Sequence, residues 1–174
     1  MAYAVIRTDR MTGTVDGARI ISCRYLDADG NPADIENGSI VKIGALIDAE
    51  REIYAVTAPS SSDKLSDLAV IASVELDYDE RNKTLDTFIN KGSDTAAQRA
   101  YLFVNRNGYS VTIDAFANGD ADSIEVGNIV EVTDGDVKAS VVSESTGATQ
   151  IGTIDEIEVS GMYTYYFIRV ASVQ

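Results

Sequence analysis

The sequence predicts a mainly β protein built from two similar small β-barrel or β-sandwich units, with an N-terminal extended arm and little helix. Three observations lead there. Val, Ile, Thr and Tyr dominate the patterned stretches, and these residue types suit a pleated, half-buried surface. Gly, Asp and Asn turn signals recur at roughly the 8–12-residue spacing of small barrels and sandwiches. The third observation is a repeat. Ile35-Glu36-Asn37-Gly38-Ser39-Ile40-Val41-Lys42-Ile43 returns as Ile124-Glu125-Val126-Gly127-Asn128-Ile129-Val130-Glu131-Val132, each copy preceded by an acidic Gly/Asn segment. A turn, a glycine and a β-branched alternation describe a turn feeding a strand. Two copies predict an internal duplication in which the shared Glu and Gly are architectural.

The predicted organisation is an arm over 1–19, a first β unit over 20–95 whose segment 77–95 is the junction, and a second unit over 96–174. In the arm, Tyr3, Val5 and Ile6 can form one short strand, either at a sheet edge or reaching a neighbour. Strands follow over 19–26, 35–47, 53–58 and 68–76, separated by turns at 27–32 and 48–51. Pro32, Gly30 and Gly38 exclude helix in their region. Ser60, Ser61 and Ser62, followed by Asp63, predict a capped short helix or turn. Segment 77–97 breaks the β rhythm but carries Leu85, Phe88 and Ile89, so it is expected to be packed rather than a loose linker.

The second unit opens with a strand over 100–104 and a hairpin-type turn at Asn105-Arg106-Asn107-Gly108. Tyr109, Val111, Ile113 and Ala115 alternate onto one face of the next strand. The second repeat copy ends at the hairpin signal Asp134-Gly135. Strands over 137–142, 151–159 and 163–173 complete the unit. Ile71-Ala72-Ser73-Val74 and Val170-Ala171-Ser172-Val173 extend the repeat downstream.

Composition narrows function. Acidic residues number 28 against 14 basic, a net charge of −14, which opposes binding to nucleic-acid backbones and to anionic membranes. It fits a partner with basic patches. The chain has no histidine, so His-based catalysis and His-ligated metal sites are unavailable. One cysteine, Cys23, excludes an intrachain disulfide; its alternation with Ile21 and Tyr25 predicts a buried structural thiol. No apolar run is long enough for a transmembrane helix, and the first residues lack a signal peptide, which implies synthesis in a cytoplasm without recognisable export.

Phosphate-binding glycine loops are absent, and no pair of carboxylates stands out for acid–base work. The most metal-like group is Asp27, Asp29 and Asn31, with Asp34 and Glu36 behind. Their spacing resembles the opening of a calcium loop, but the glycine falls at the fourth position and no Glu stands at the twelfth. Two acidic turns, the other with Asp120, Asp122 and Glu125, account for these residues without a metal, so neither metal nor cofactor is expected. Tyr163, Tyr165 and Phe167 share one strand face and are expected in the core, beside Tyr166.

The run Ser73-Val74-Glu75-Leu76-Asp77-Tyr78-Asp79-Glu80-Arg81, continuing through Leu85, Phe88 and Asn90 to Arg99-Ala100-Tyr101 and Ser110-Val111-Thr112, resembles small proteins from the head-gene clusters of tailed phages of Firmicutes. Those are taken to be capsid decoration, or head cement, proteins. The resemblance covers roughly residues 35–132; where the family usually has Gly-Asp after the Arg-Ala-Tyr strand, this chain has Arg106-Asn107-Gly108.

The resemblance implies a non-enzymatic virion protein on the outer capsid surface. Its partners would be the major capsid protein and copies of itself, as in a trimer at threefold points. Two docking segments follow. The arm, with Tyr3, Val5 and Arg7, could add a strand to a capsid-protein sheet edge. Segment 77–91 could dock through Tyr78, Arg81 and Phe88, or serve only as a plug between units. The competing expectations are another phage structural part (head–tail adaptor, tail or head-fibre component) and a calcium- or carbohydrate-binding β module.

Overall fold

The computed structural model describes residues 3–7, 11, 17–48, 52–73, 89–90, 92, 98–105 and 107–173. Its strands are β1 (Ile6–Arg7), β2 (Ile20–Tyr25), β3 (Ile35–Glu36), β4 (Ile40–Leu46), β5 (Ile53–Thr57), β6 (Leu68–Ile71), β7 (Ile89–Asn90), β8 (Gln98–Leu102), β9 (Gly108–Thr112), β10 (Ile129–Glu131), β11 (Ser140–Val142), β12 (Gln150–Ser160) and β13 (Tyr163–Val170). The described helical segments are single 3-10 turns of three residues. The protein is mainly β.

Strands β2-β5-β4-β6-β8 close into a barrel, β1-β9-β13-β12-β10-β11 form a six-stranded sheet, and β3 pairs with β7. Closure of the barrel comes from the parallel pairing of β2 with β5; its other pairings are antiparallel. Starting from β5, the barrel order is β5-β4-β6-β8-β2. The larger sheet runs β11-β10-β12-β13-β9, the same order by chain sequence, with β1 added outside β9. A parallel bridge between Phe116 and Ala139 brings the end of the β9 segment to the start of β11, where β2 and β5 pair in the barrel.

The two repeat copies occupy corresponding places in these orders. Gly38 and Gly127 have φ of +83° and +99°, values open to glycine and strained for other residues. Ser39 N donates to Glu36 O, and Asn128 N donates to Glu125 O, closing the same turn. Each turn then docks on the neighbouring strand. Gly38 N donates to Ile71 O and Ile71 N to Ser39 O; Gly127 N donates to Ile154 O and Ile154 N to Asn128 O, at 2.7–2.9 Å. The inward residues match as well, since Val41 and Val130, and Ile71 and Ile154, are fully buried.

Three details depart from the expected layout. β8 lies between β6 and β2 and completes the first barrel, so a boundary at residue 96 cuts through that barrel. The turn from Val104 to Asn107 carries the chain from the barrel into the larger sheet rather than forming a hairpin. The likeness between 71–74 and 170–173 joins β6 to β13, strands that hold different places in the order, whereas the partner of Ile71 is Ile154.

One hydrophobic cluster spans both sheets. Ile40, Leu65, Leu68 and Val70 from the barrel side meet Tyr109, Val111, Phe116, Ile151, Ile154, Tyr166 and Ile168. The barrel interior is a second cluster of Cys23, Ile35, Val41, Val56, Ala69, Ile71 and Ala100. The loop over 58–67 clamps the halves together from one end. Gly135 N donates to Pro59 O, Thr149 N to Ser61 O, and Asp134 Oδ1 accepts from Ser61 N and Ser60 Oγ. In that loop the capping group is Asp63, whose carboxylate accepts from Ser60 N at 2.8 Å.

Candidate docking surface

The N-terminal arm is held by its own chain. β1 pairs antiparallel with β9, Ile6 opposite Val111 and Arg7 opposite Ser110. Val5 N donates to Thr112 Oγ1 and Thr112 N to Val5 O, both at 3.0 Å, while Ala4 N donates to Glu36 Oε2. Ala4 and Ile6 are buried. Tyr3, Val5 and Arg7 are half-buried at this sheet edge. Arg7 reaches Glu158 on β12 at 3.3 Å and sits over the Tyr165 ring at 5.4 Å. The other docking candidates, Tyr78, Arg81 and Phe88, lie outside the described residues.

In the loop after β2, the Asp27 carboxylate is used on the loop's own backbone. Asp27 Oδ1 accepts from Asp29 N at 3.0 Å and Asn31 N at 2.9 Å. Asp120 Oδ1 accepts from Asp122 N in the second loop. Among the described residues no three His, Cys, Asp or Glu side chains gather as a metal site. Cys23 is fully buried, and burial, opposed by the Arg99 charge, pushes its thiol up to about 12. A cavity of about 20 Å³ lies between Met11, Val70, Tyr101, Phe103, Tyr109 and Val170, far below the roughly 300 Å³ at which ligand pockets begin. No helix among the described residues is long and apolar enough to cross a membrane.

The aromatic strand faces the opposite way from expectation. The core takes Tyr166, Ile168 and Val170, because Tyr166 is opposite Val111 and Ile168 opposite Tyr109, both inward residues of β9. Burial, with the charge of Asp122 adding to it, raises the Tyr166 phenol pKa. Tyr163, Tyr165 and Phe167 therefore lie on the outer face. Phe167 lies over Gly108, where a Cβ would collide with its ring. Tyr163 and Tyr165 stand 6.1 Å apart between centroids.

These aromatics lead to the most exposed apolar feature. β10 accompanies β12 only as far as Thr153, and β9 accompanies β13 only as far as Tyr165. Tyr165 lies opposite Glu158, so the hairpin is two-stranded only at its tip, where Val159 faces Thr164 and Ser160 faces Tyr163. A β-bulge between Ile154 and Glu156 redirects β12 ahead of that tip. Gly161, at φ +64°, and Met162 form the turn, glycine being the favoured first central residue of a type II′ hairpin. At this tip Val159 is 76% exposed, Met162 91% and Tyr163 42%. Sequence reasoning placed Tyr163 in the core and passed over Val159 and Met162. Paired apolar residues flanking Ser-Gly at a hairpin turn were the available signal.

The fold and its surface define a class only coarsely, a mainly β chain with a closed five-stranded barrel beside a six-stranded sheet. No family model, curated protein or solved structure matches the chain.

Proposed function

We propose that this chain is a non-enzymatic capsid decoration protein of a tailed phage, binding the outer surface of the assembled head and stabilising it. The observation that carries a docking role is the projecting β12–β13 hairpin, whose tip exposes Val159, Met162 and Tyr163 to solvent. Folding gives no reason for apolar residues there, since a hairpin turn is served as well by polar ones, and exposed apolar clusters mark interaction sites. The partner assignment rests on the resemblance of the segment from Ser73 to Thr112 to head cement proteins. The shared core adds mechanical sense, because a staple must stay folded while its lattice is strained.

In this reading the protein has two β units from an internal duplication. The common strand order and the matched docking of Gly38 on Ile71 and Gly127 on Ile154 support it.

Mixing the purified protein with expanded heads that lack it, then sedimenting the particles, tests the function. Saturable co-sedimentation and a higher temperature of DNA release are expected. No binding to expanded heads would overturn the proposal.

A further inference from the structure

We infer that the β12–β13 hairpin tip is the docking element itself, and that it inserts into an apolar pocket rimmed by basic side chains on the partner protein. This rests on the capsid-binding reading and specifies which part of the chain makes the contact and what chemistry receives it.

The geometry singles out the hairpin. Among the described residues, Val159 and Ser160 of β12 and their partners Thr164 and Tyr163 of β13 have no third strand on either side. Two-stranded pairing contributes little stability by itself in water, so this tip gains from a surface that covers it. Its two faces are unlike. Val159 continues the inward face of Ile157, while Tyr163 heads the outer row with Tyr165. Met162 sits between them at the turn, so apolar groups present on both sides of a narrow wedge. A wedge fits a pocket better than a flat surface, and large flexible Met and Tyr side chains are suited to filling one.

Charge decides the occupant. Among the described residues, two cations beside the hairpin are already engaged, Arg7 with Glu158 and Arg169 with Asp155. Glu156 is exposed on β12, and Asp122 and Glu125 are exposed in the segment that docks beside Ile154. The apolar tip is thus carried on an acidic stalk, within a chain of net charge −14. A second copy would bring the same negative charge to the contact, which disfavours tip-to-tip association. A pocket edged by Lys and Arg complements both parts of the element.

The test compares the wild-type protein with a Val159→Ser, Met162→Ser double variant in titrations against expanded heads lacking the protein. Both positions are exposed, so the variant should melt at nearly the wild-type temperature; a Tyr163→Ser variant provides an independent second probe. We expect wild type to bind, each variant to bind roughly tenfold or more weakly, and wild-type association to slow as ionic strength rises.

If wild type binds and the variants bind equally well, the hairpin is not the docking element, while capsid binding stands. If wild-type association is unaffected by salt, the basic rim is wrong. If wild type does not bind heads at all, capsid binding and this inference fall together. Self-association of wild type in sedimentation equilibrium, abolished in the double variant, would assign the tip to a second copy and overturn the inference.

Discussion

Ile71 and Ile154 make the same pair of backbone hydrogen bonds to two different glycine turns. Each carbonyl accepts from the glycine N, and each N donates to the carbonyl of the following residue. Each isoleucine is fully buried on the strand beside the repeat copy it holds. The sequence repeat is therefore a repeat of tertiary contact, a turn locked onto a neighbouring strand.

The two glycines should respond differently to alanine. Gly127 has open space around it, so Gly127→Ala meets only the cost of a positive φ, about 1 kcal/mol. A Cβ on Gly38 would lie 3.2 Å from Ala115 Cβ and 3.4 Å from Val111 Cγ1. Gly38→Ala should cost about 2 kcal/mol, adding crowding to strain. Urea denaturation of both variants measures the difference, and equal losses would mean that crowding at Gly38 is relieved.

Lys42 and Glu131 stand third in β4 and β10, and with opposite charge they anchor the loops that follow the next strands, β5 and β11. Lys42 Nζ lies 2.6 Å from Asp63 Oδ1. Glu131, almost wholly buried, accepts from Ser145 Oγ, Thr146 Oγ1 and Thr146 N. Burial alone would raise the Glu131 pKa, but these hydrogen bonds outweigh it and hold it below the ordinary 4.5. Its contribution to stability is therefore complete above that pH and is lost as pH falls through the lower folded-state value. Glu131→Gln should cost about 2 kcal/mol at neutral pH and flatten the acid limb of the stability curve. An unchanged acid limb would show that Glu131 is protonated alike in both states.

Cys23 should be inert in the native protein. Its thiol is buried, with Sγ 3.6 Å from Gln98 O, and burial raises its pKa to about 12. Alkylation at pH 8 should be slow until denaturant is added, then rapid. Fast labelling of the folded protein would contradict the closed barrel.

The core shared by the two sheets predicts one cooperative unfolding transition in calorimetry, with no separate melting of the barrel. Two resolved transitions would mean that the barrel and the larger sheet fold as independent domains.

The β class, most strand positions and the glycine turns were legible because β-branched runs and turn residues act locally. Facing was less legible. Ile151, Ile154 and Ile157 all point to one core though they are three apart, which an unbroken strand cannot achieve. Register shifts, one opposite Val130/Glu131 and one at Ile154/Glu156, reset the alternation twice. The alternation over Tyr109, Val111, Ile113 and Ala115 likewise ends early, because Ile113–Ala115 is a 3-10 turn. The core face of β13 is ambiguous in sequence, because Tyr163, Tyr165 and Phe167 on one parity compete with Tyr166, Ile168 and Val170 on the other, and only register against β9 decides between them. The candidate docking tip is not legible in the sequence because exposure of Val159 and Met162 follows from how far β9 and β10 extend, a property of tertiary length rather than local pattern.

Electron cryo-microscopy of expanded heads incubated with the purified protein tests the central claim most directly. The account predicts ordered density across the whole outer lattice at threefold or quasi-threefold points, with the β12–β13 hairpin turned toward the capsid shell. Density confined to the portal vertex or tail, or bare heads at saturating protein, would contradict it.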